Sequence, residues 1–162
     1  MAEPAHVIGL ISDTHGLVRP DVFSALSGVE LLLHAGDVGE GVLEELSAIA
    51  PVLAVFGNTD PRDDARLAES IERTVGGVRI HVSHGHELGS PTPERLLATY
   101  DADVIVYGHT HQQRVVEVSG RLVVNPGAAG PRRFKLRPSV GRLTISGGGA
   151  RVEILELIEA TA

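Results

Sequence analysis

Seven residues of this chain, Asp13, His15, Asp37, Asn58, His84, His109 and His111, carry side chains able to bind a metal ion, and all of them lie just beyond short apolar runs. The steps from Asp13 to Asp37, Asn58, His84 and His109 are 24, 21, 26 and 25 residues. A step of that length accommodates a strand, a helix and a return, so each is expected to bring the chain back to the same edge of a sheet. The pairs Asp13/His15 and His109/His111 are spaced i,i+2, which in extended backbone turns both side chains the same way. Two carboxylates, one amide oxygen and four imidazoles suit a pair of divalent ions of the Mn, Fe, Co, Ni or Zn kind. Calcium prefers all-oxygen ligation and copper(I) prefers sulfur. Two such ions against Asp13 and Asp37 leave a formal charge of about +2, which attracts an anionic ester and stabilises charge on a phosphoryl oxygen. The chemistry expected is phosphoryl hydrolysis.

Five elements must position these groups. Residues 7–11, 31–33, 52–56, 78–82 and 104–106 are short runs rich in Val, Ile and Leu, each ending in a polar cluster, and they read as buried strands. Between them, Pro20 opens a helix over residues 21–26, and Val42, Leu43, Leu46 and Ile49 fall at helical spacing. Thr92-Pro93 supplies an N-cap and a first-turn proline ahead of Leu96, Leu97 and Tyr100. Alternation of strand and helix over the first three runs predicts a mainly parallel sheet. Later, Gly76-Gly77, Ser119-Gly120 and Gly147-Gly148-Gly149 each separate two alternating segments and signal hairpins. The expectation is an α/β protein with two packed sheets and helices outside, one sheet parallel-rich and the other fed by antiparallel hairpins.

Composition narrows the function. At 162 residues, with 43% apolar and 22% charged residues, the chain reads as one domain, 1–162, with no membrane span. Its first residues, MAEPAHVIGLIS, lack a basic leader, so a cytoplasmic location is expected. Cysteine is absent, which excludes thiolate zinc sites, iron–sulfur clusters and a cysteine nucleophile. The net charge of −7 conceals a basic stretch at residues 131–142, where Arg132, Arg133, Lys135, Arg137 and Arg142 stand without an acid. This stretch reads as a solvated loop, with a clamp for a phosphorylated substrate as the alternative. Aromatic residues make up only 3% of the chain, which argues against bulk nucleic-acid binding.

The ordered motifs Asp-x-His, Gly-Asp, Gly-Asn-x-Asp, His-Gly-His and Gly-His-x-His, with Asn125-Pro126-Gly127 after them, resemble the calcineurin-like metallophosphoesterase superfamily, and within it the small bacterial and archaeal phosphodiesterase branch. The resemblance implies a four-layer α/β/β/α sandwich of two mixed sheets flanked by helices. It also implies a binuclear site, with Asp37 bridging an ion held by Asp13, His15 and His111 and an ion held by Asn58, His84 and His109, manganese being the metal expected first. In the implied reaction a metal-bridging hydroxide attacks phosphorus in line, with Asn58 near the phosphate. One position departs from the pattern: Thr59 stands where many family phosphomonoesterases have a histidine that serves as acid or phosphate contact. Without that donor the chain is expected to favour diesters with good leaving groups, or to use His86 or water as the donor, and Asp60 is expected to orient a histidine.

Three rival readings are weighed beside these. His6, His34 and His81 lie in or beside apolar strands and read as structural. The glycines between Gly36 and Gly41 lack the lysine of a P-loop and the spacing of a dinucleotide fingerprint. The superfamily also contains a retromer subunit that is similar and binds partner proteins, so a non-catalytic scaffold is the principal alternative, with a phosphomonoesterase or nuclease behind it. All seven candidate ligand positions are filled here, which favours an enzyme acting on a small anionic phosphate ester, as a monomer or a homo-oligomer.

Overall fold

In the computed structural model, which describes residues 5–132 and 136–157, the chain builds two mixed β-sheets packed face to face. The first sheet has a parallel centre made by β1 (His6–Ile11), β2 (Leu31–His34), β3 (Val52–Val55) and the two-residue β4 (Leu67–Ala68). The second is built around β6 (Val78–Val82), β7 (Val104–Val106) and β9 (Arg121–Asn125), which run parallel, with β5 (Ile71–Val75) and β8 (Arg114–Val118) as antiparallel edges. The last hairpin, β10 (Ser139–Ser146) and β11 (Gly149–Glu156), returns to the first sheet, where β10 pairs with β1. This corrects the expectation that hairpins feed one sheet only. Each sheet has a parallel core and takes hairpin strands at its margin, because β1 leaves one side open for an antiparallel neighbour.

Side-chain alternation sorts the apolar residues into layers. On β1, Ile8 and Leu10 point between the sheets to meet Ile80, Val82, Val104 and Val124, whereas Ile11 faces outward to Val22, Leu26 and Val42. Both faces of the strand are therefore buried, which is why the run reads as continuously apolar. The outward face is covered by α1 (Pro20–Ala25) and α2 (Val42–Leu46), and the second sheet by α3 (Pro93–Thr99) through Leu96 against Ile105 and Val123. Four layers result, as the resemblance implies. The Thr92 side chain caps α3 by accepting from the Arg95 N–H at 3.2 Å. Arg121 closes the other end of that helix by donating to the carbonyls of Leu97, Tyr100 and Ala102. Strand β4 is too short to carry a sequence signal.

Parts of the basic stretch serve the fold. Arg142 donates to the carbonyls of Ala25 and Ser27 just beyond α1, and Arg137 lies 3.5 Å from Glu156. Arg133 and Lys135 lie outside the described residues. Among the described residues no helix is long and apolar enough to cross a membrane.

Leu10 is fully buried between the sheets, so Leu10→Ala should lower the unfolding free energy by about 2–5 kcal/mol in urea titration. Leu17→Ala, at a side chain 39% exposed, should stay within about 0.5 kcal/mol of the parent chain.

Candidate metal centre

The seven candidate ligands follow the carboxyl ends of β1, β2, β3, β6 and β7, so they rise from both sheets at one edge of the sandwich. The step from Asn58 to His84 crosses between sheets, a correction to the single-sheet reading of the spacings. The i,i+2 pairs also differ from expectation. Asp13, His15, Asp37, His109 and His111 all have φ between 46° and 71° and lie in the left-handed region, not in extended backbone. They make up all but one of the described non-glycine residues with positive φ, the exception being Ser119 in a hairpin turn. Asp, Asn and His tolerate this region better than most residues, but each instance stores about 1–3 kcal/mol.

A hydrogen-bond lattice holds the loops in that shape. The N–H groups of Asp13 and His15 donate to the carbonyls of Gly36 and Asp37 at 2.9 and 3.0 Å, stitching the loop after β1 to the loop after β2. The buried Asn125 side chain donates to the Gly108 carbonyl and the Thr110 hydroxyl and accepts from the Gly127 N–H, clamping the turn that carries His109 and His111. His34 is a further tie. The Thr14 hydroxyl donates to the Val38 carbonyl and so accepts from His34 Nε2 at 3.0 Å, while His34 Nδ1 accepts from the Gly36 N–H. Burial pushes its pKa down to about 3, and it is a neutral structural residue. His81, between Glu72 and Ser83 and stacked on Tyr100, and His6, bonded to Glu30, are structural as well.

The two carboxylates share one arrangement. Asp13 Oδ2 accepts from the Ser12 hydroxyl at 2.6 Å and the His109 N–H at 3.1 Å, while buried Oδ1 accepts no hydrogen bond and lies 3.4 Å from His111 Nε2 and 3.8 Å from His84 Nε2. Asp37 Oδ1 accepts from the Thr59 N–H and hydroxyl at 3.0 and 2.8 Å, leaving Oδ2 3.2 Å from His84 Nε2 and 3.7 Å from His15 Nε2. In each, one oxygen is fastened by the protein and the other enters the cluster. Burial raises the Asp13 pKa to about 6 against the pull of His84 and Ser12. Burial also acts to raise the pKa of Asp37, but the bonds from His84 and Thr59 outweigh it and hold the group well below the usual carboxylate range.

The imidazoles are set in a corresponding way. His84 Nδ1 donates to the Ala35 carbonyl at 2.7 Å, which directs Nε2 at both carboxylates and at Asn58 Oδ1, 3.1 Å away. Burial disfavours its charged form, yet the two aspartates raise its pKa. The ring of His15 is 5.4 Å from that of His111, and the ring of His109 is 5.2 Å from that of His84. The 109/111 pair thus divides between the two sides of the cluster. Donor atoms of Asp13, His15 and His111 lie within 4.8 Å of one another, as do those of Asp13, Asp37 and His84. A buried carboxylate oxygen without a hydrogen bond, a buried His15 Nε2 in the same condition and a nitrogen–oxygen donor set fit a divalent cation.

Three other candidates have different surroundings. Asp60 accepts from the N–H groups of Val38, Gly39 and Gly57, and its described hydrogen bonds reach no histidine. The expectation that it orients one is corrected: its carboxylate satisfies backbone donors and ties the Asp37 loop to the Asn58 loop. His86 opens a single 3-10 turn, His86–Leu88, with its ring 5.3 Å from that of His84, and burial lowers its pKa so that it presents a neutral ring. Asn58 is exposed beside His84. Sequence reasoning missed Ser12, the Ala35 carbonyl and the positive role of Thr59, each lying one or two residues from a candidate ligand.

Comparison with known proteins identifies the family and the fold. A family model described as the calcineurin-like phosphoesterase superfamily domain matches residues 7–148. The chain is 35% identical over 158 residues to a probable metallophosphoesterase of Methanothermobacter thermautotrophicus, covering 92% of this chain and 91% of that protein. It is 35% identical over 143 residues to the phosphodiesterase YfcE of Escherichia coli, covering 72% of this chain and 76% of that protein. Among solved structures, vacuolar protein sorting 29 of Cryptosporidium parvum superposes with a TM-score of 0.77 at 23% identity, over 96% of this chain and 99% of that one.

Gly108 packs beneath the Asp13 carboxylate, where an added Cβ would come within 2.0 Å of Ser12 Oγ and 2.6 Å of Asp13 Oδ2. Gly108→Ala should therefore destabilise the chain by about 1–3 kcal/mol in urea titration. An unchanged midpoint would show that the Ser12–Asp13 arrangement is loose.

Proposed function

The chain belongs to the calcineurin-like phosphoesterase superfamily, and from that membership we propose that it is a metal-dependent phosphodiesterase, residues 1–162 forming one domain that hydrolyses small anionic phosphate diesters. The observation that carries the reading is the arrangement of Asp13 and Asp37, each with one oxygen held by protein donors and the other presented to imidazole nitrogens. In this reading Asp13, His15 and His111 would hold one ion, Asn58, His84 and His109 would hold a second, and Asp37, whose Oδ2 is 3.7 Å from His15 Nε2 and 3.2 Å from His84 Nε2, would serve both. Bound divalent ions, manganese first among them, would polarise phosphoryl oxygens and lower the pKa of a bound water.

The proposed diester preference rests on the chain's own residues. The Thr59 hydroxyl spends its proton on Asp37 Oδ1 and has none for a leaving group. His86, its ring 5.3 Å from that of His84, would serve as a substrate contact, and the exposed Asn58 amide would face the phosphate. A leaving group must then depart as a stable anion or take its proton from water, which favours diesters of acidic alcohols.

A second reading, a metal-binding scaffold for protein partners, draws on the fold shared with vacuolar protein sorting 29. The complete donor set favours the enzyme.

Metal-stripped protein refilled with Mn²⁺ should turn over bis-p-nitrophenyl phosphate faster than p-nitrophenyl phosphate. Asp37→Ala and His109→Ala should each cut that rate by about a hundredfold or more, the loss of several kcal/mol of charge stabilisation. Metal uptake without turnover of either ester would favour the scaffold, and faster monoester turnover would favour a phosphomonoesterase.

Thr59→Val keeps the backbone bond to Asp37 and removes the hydroxyl bond. Calorimetry should show Mn²⁺ binding about tenfold weaker, restored by Thr59→Ser. Equal affinity in the valine variant would remove Thr59 from the account of Asp37.

A further inference from the structure

A groove of about 620 Å³, lined by residues that follow strands of both sheets, lies beside the donor cluster, within the roughly 300–1,000 Å³ typical of small-molecule sites. None of the seven donors lines it, but sequence neighbours of two of them do. Phe56 and Ser83 line it two residues before Asn58 and one before His84, and the His86 ring, 6.4 Å from Phe56 and 5.3 Å from His84, forms the shared wall. An organic group attached to a phosphate at the cluster would therefore enter the groove past His86.

The far lining defines what fits. The Arg62 guanidinium rests over the Phe56 ring at 5.5 Å, held at the mouth by a cation–π contact. Glu87 is committed to the protein, its oxygens accepting from the Gly85 N–H and the Tyr100 hydroxyl, and so it forms a fixed wall. Glu69 and Ser70, exposed in the link between β4 and β5, complete the lining. One guanidinium stands against two carboxylates, so a second phosphate or another anion meets net repulsion. Hydroxyl groups, which donate to a carboxylate and accept from a guanidinium, match both signs, and the Phe56 side chain adds an apolar surface.

Resting on the phosphodiesterase reading, we propose that this groove binds one ester arm of the diester, and that this arm is an uncharged, hydroxyl-bearing group of the sugar or nucleoside class. Arg62 and Glu69 select it by hydrogen bonding to its hydroxyls. Specificity then resides in side chains outside the donor cluster.

Two esters with the same leaving group, thymidine 5′-(p-nitrophenyl phosphate) and methyl p-nitrophenyl phosphate, isolate the arm. With the Mn²⁺-loaded full chain, kcat/KM for the thymidine ester should exceed that for the methyl ester by about tenfold or more. Glu69→Ala and Arg62→Ala should each shrink that ratio by at least about threefold, and a ratio unmoved in both variants overturns the proposal. Thymidine alone, which has no phosphate, supplies an independent reading. It should produce saturable amide shifts at Phe56, Ser70 and Tyr100 in NMR spectra of the full chain, weakened in Glu69→Ala. No shift up to about 20 mM thymidine, well above the millimolar range of weak binding, overturns the groove assignment. Saturable shifts with neither ester hydrolysed would support the groove as a nucleoside site and overturn the phosphodiesterase reading instead.

Discussion

Two carboxylates buried within reach of the same imidazole are the constraint on which the structure depends. Asp13 and Asp37 are 0% and 3% exposed, and taking an ionised carboxylate out of water is unfavourable unless it is paired or hydrogen-bonded. The chain answers by fastening one oxygen of each: Ser12 and the His109 amide hold Asp13, and both donors of Thr59 hold Asp37. What remains is a pair of oxygens aimed at each other's surroundings, with His84 between them. A buried arrangement with this excess of acceptors is stabilised by a cation, so binding free energy adds to the free energy of holding the loops together.

Much of the surrounding architecture follows from bringing those loops so close. Left-handed backbone at Asp13, His15, Asp37, His109 and His111 places five of the seven candidate ligands at the mouth of the sandwich, and the glycines beside them allow the approach. A Cβ on Gly57 would meet Asp37 Oδ1 at 2.1 Å, and one on Gly36, itself at φ +104°, would meet His84 Nδ1 at 2.6 Å. Of the glycines that superficially suggest a phosphate loop, Gly36 thus makes room for an imidazole and Gly39 for the backbone at Gly16. Strain at the ligands is held by the double sheet below, whose fully buried Ile8, Leu10 and Ile80 give the loops a rigid base. The outer lining of the groove, Arg62, Glu69 and Ser70, stands apart from these strained residues.

The layers and the gathering of the seven polar residues at one edge were legible in the chain because both rest on strong local signals. Strands buried on both faces leave unbroken runs of Val, Ile and Leu, and regular spacing of Asp, Asn and His beyond them exposes the shared edge. The two-sheet division was less legible. Only the third dimension shows that the step from Asn58 to His84 changes sheet, through a two-residue β4 too short to leave a pattern. Backbone conformation was hidden also, since an i,i+2 spacing does not distinguish an extended segment from two left-handed turns. The parts played by Asp60 and Thr59 were hidden because side-chain direction in a tight turn is set by hydrogen bonds across the sheet edge: Asp60 meets backbone amides near Val38, and Thr59 meets Asp37.

The central claim, that the free oxygens of Asp13 and Asp37 exist to hold cations, is tested most directly by anomalous diffraction from crystals grown with Mn²⁺. Two anomalous peaks are expected, one contacted by Asp13, His15 and His111, the other by Asn58, His84 and His109, with Asp37 touching both. A protein that crystallises with the same loop geometry and shows no peak at Asp37, or holds manganese only elsewhere, would contradict it.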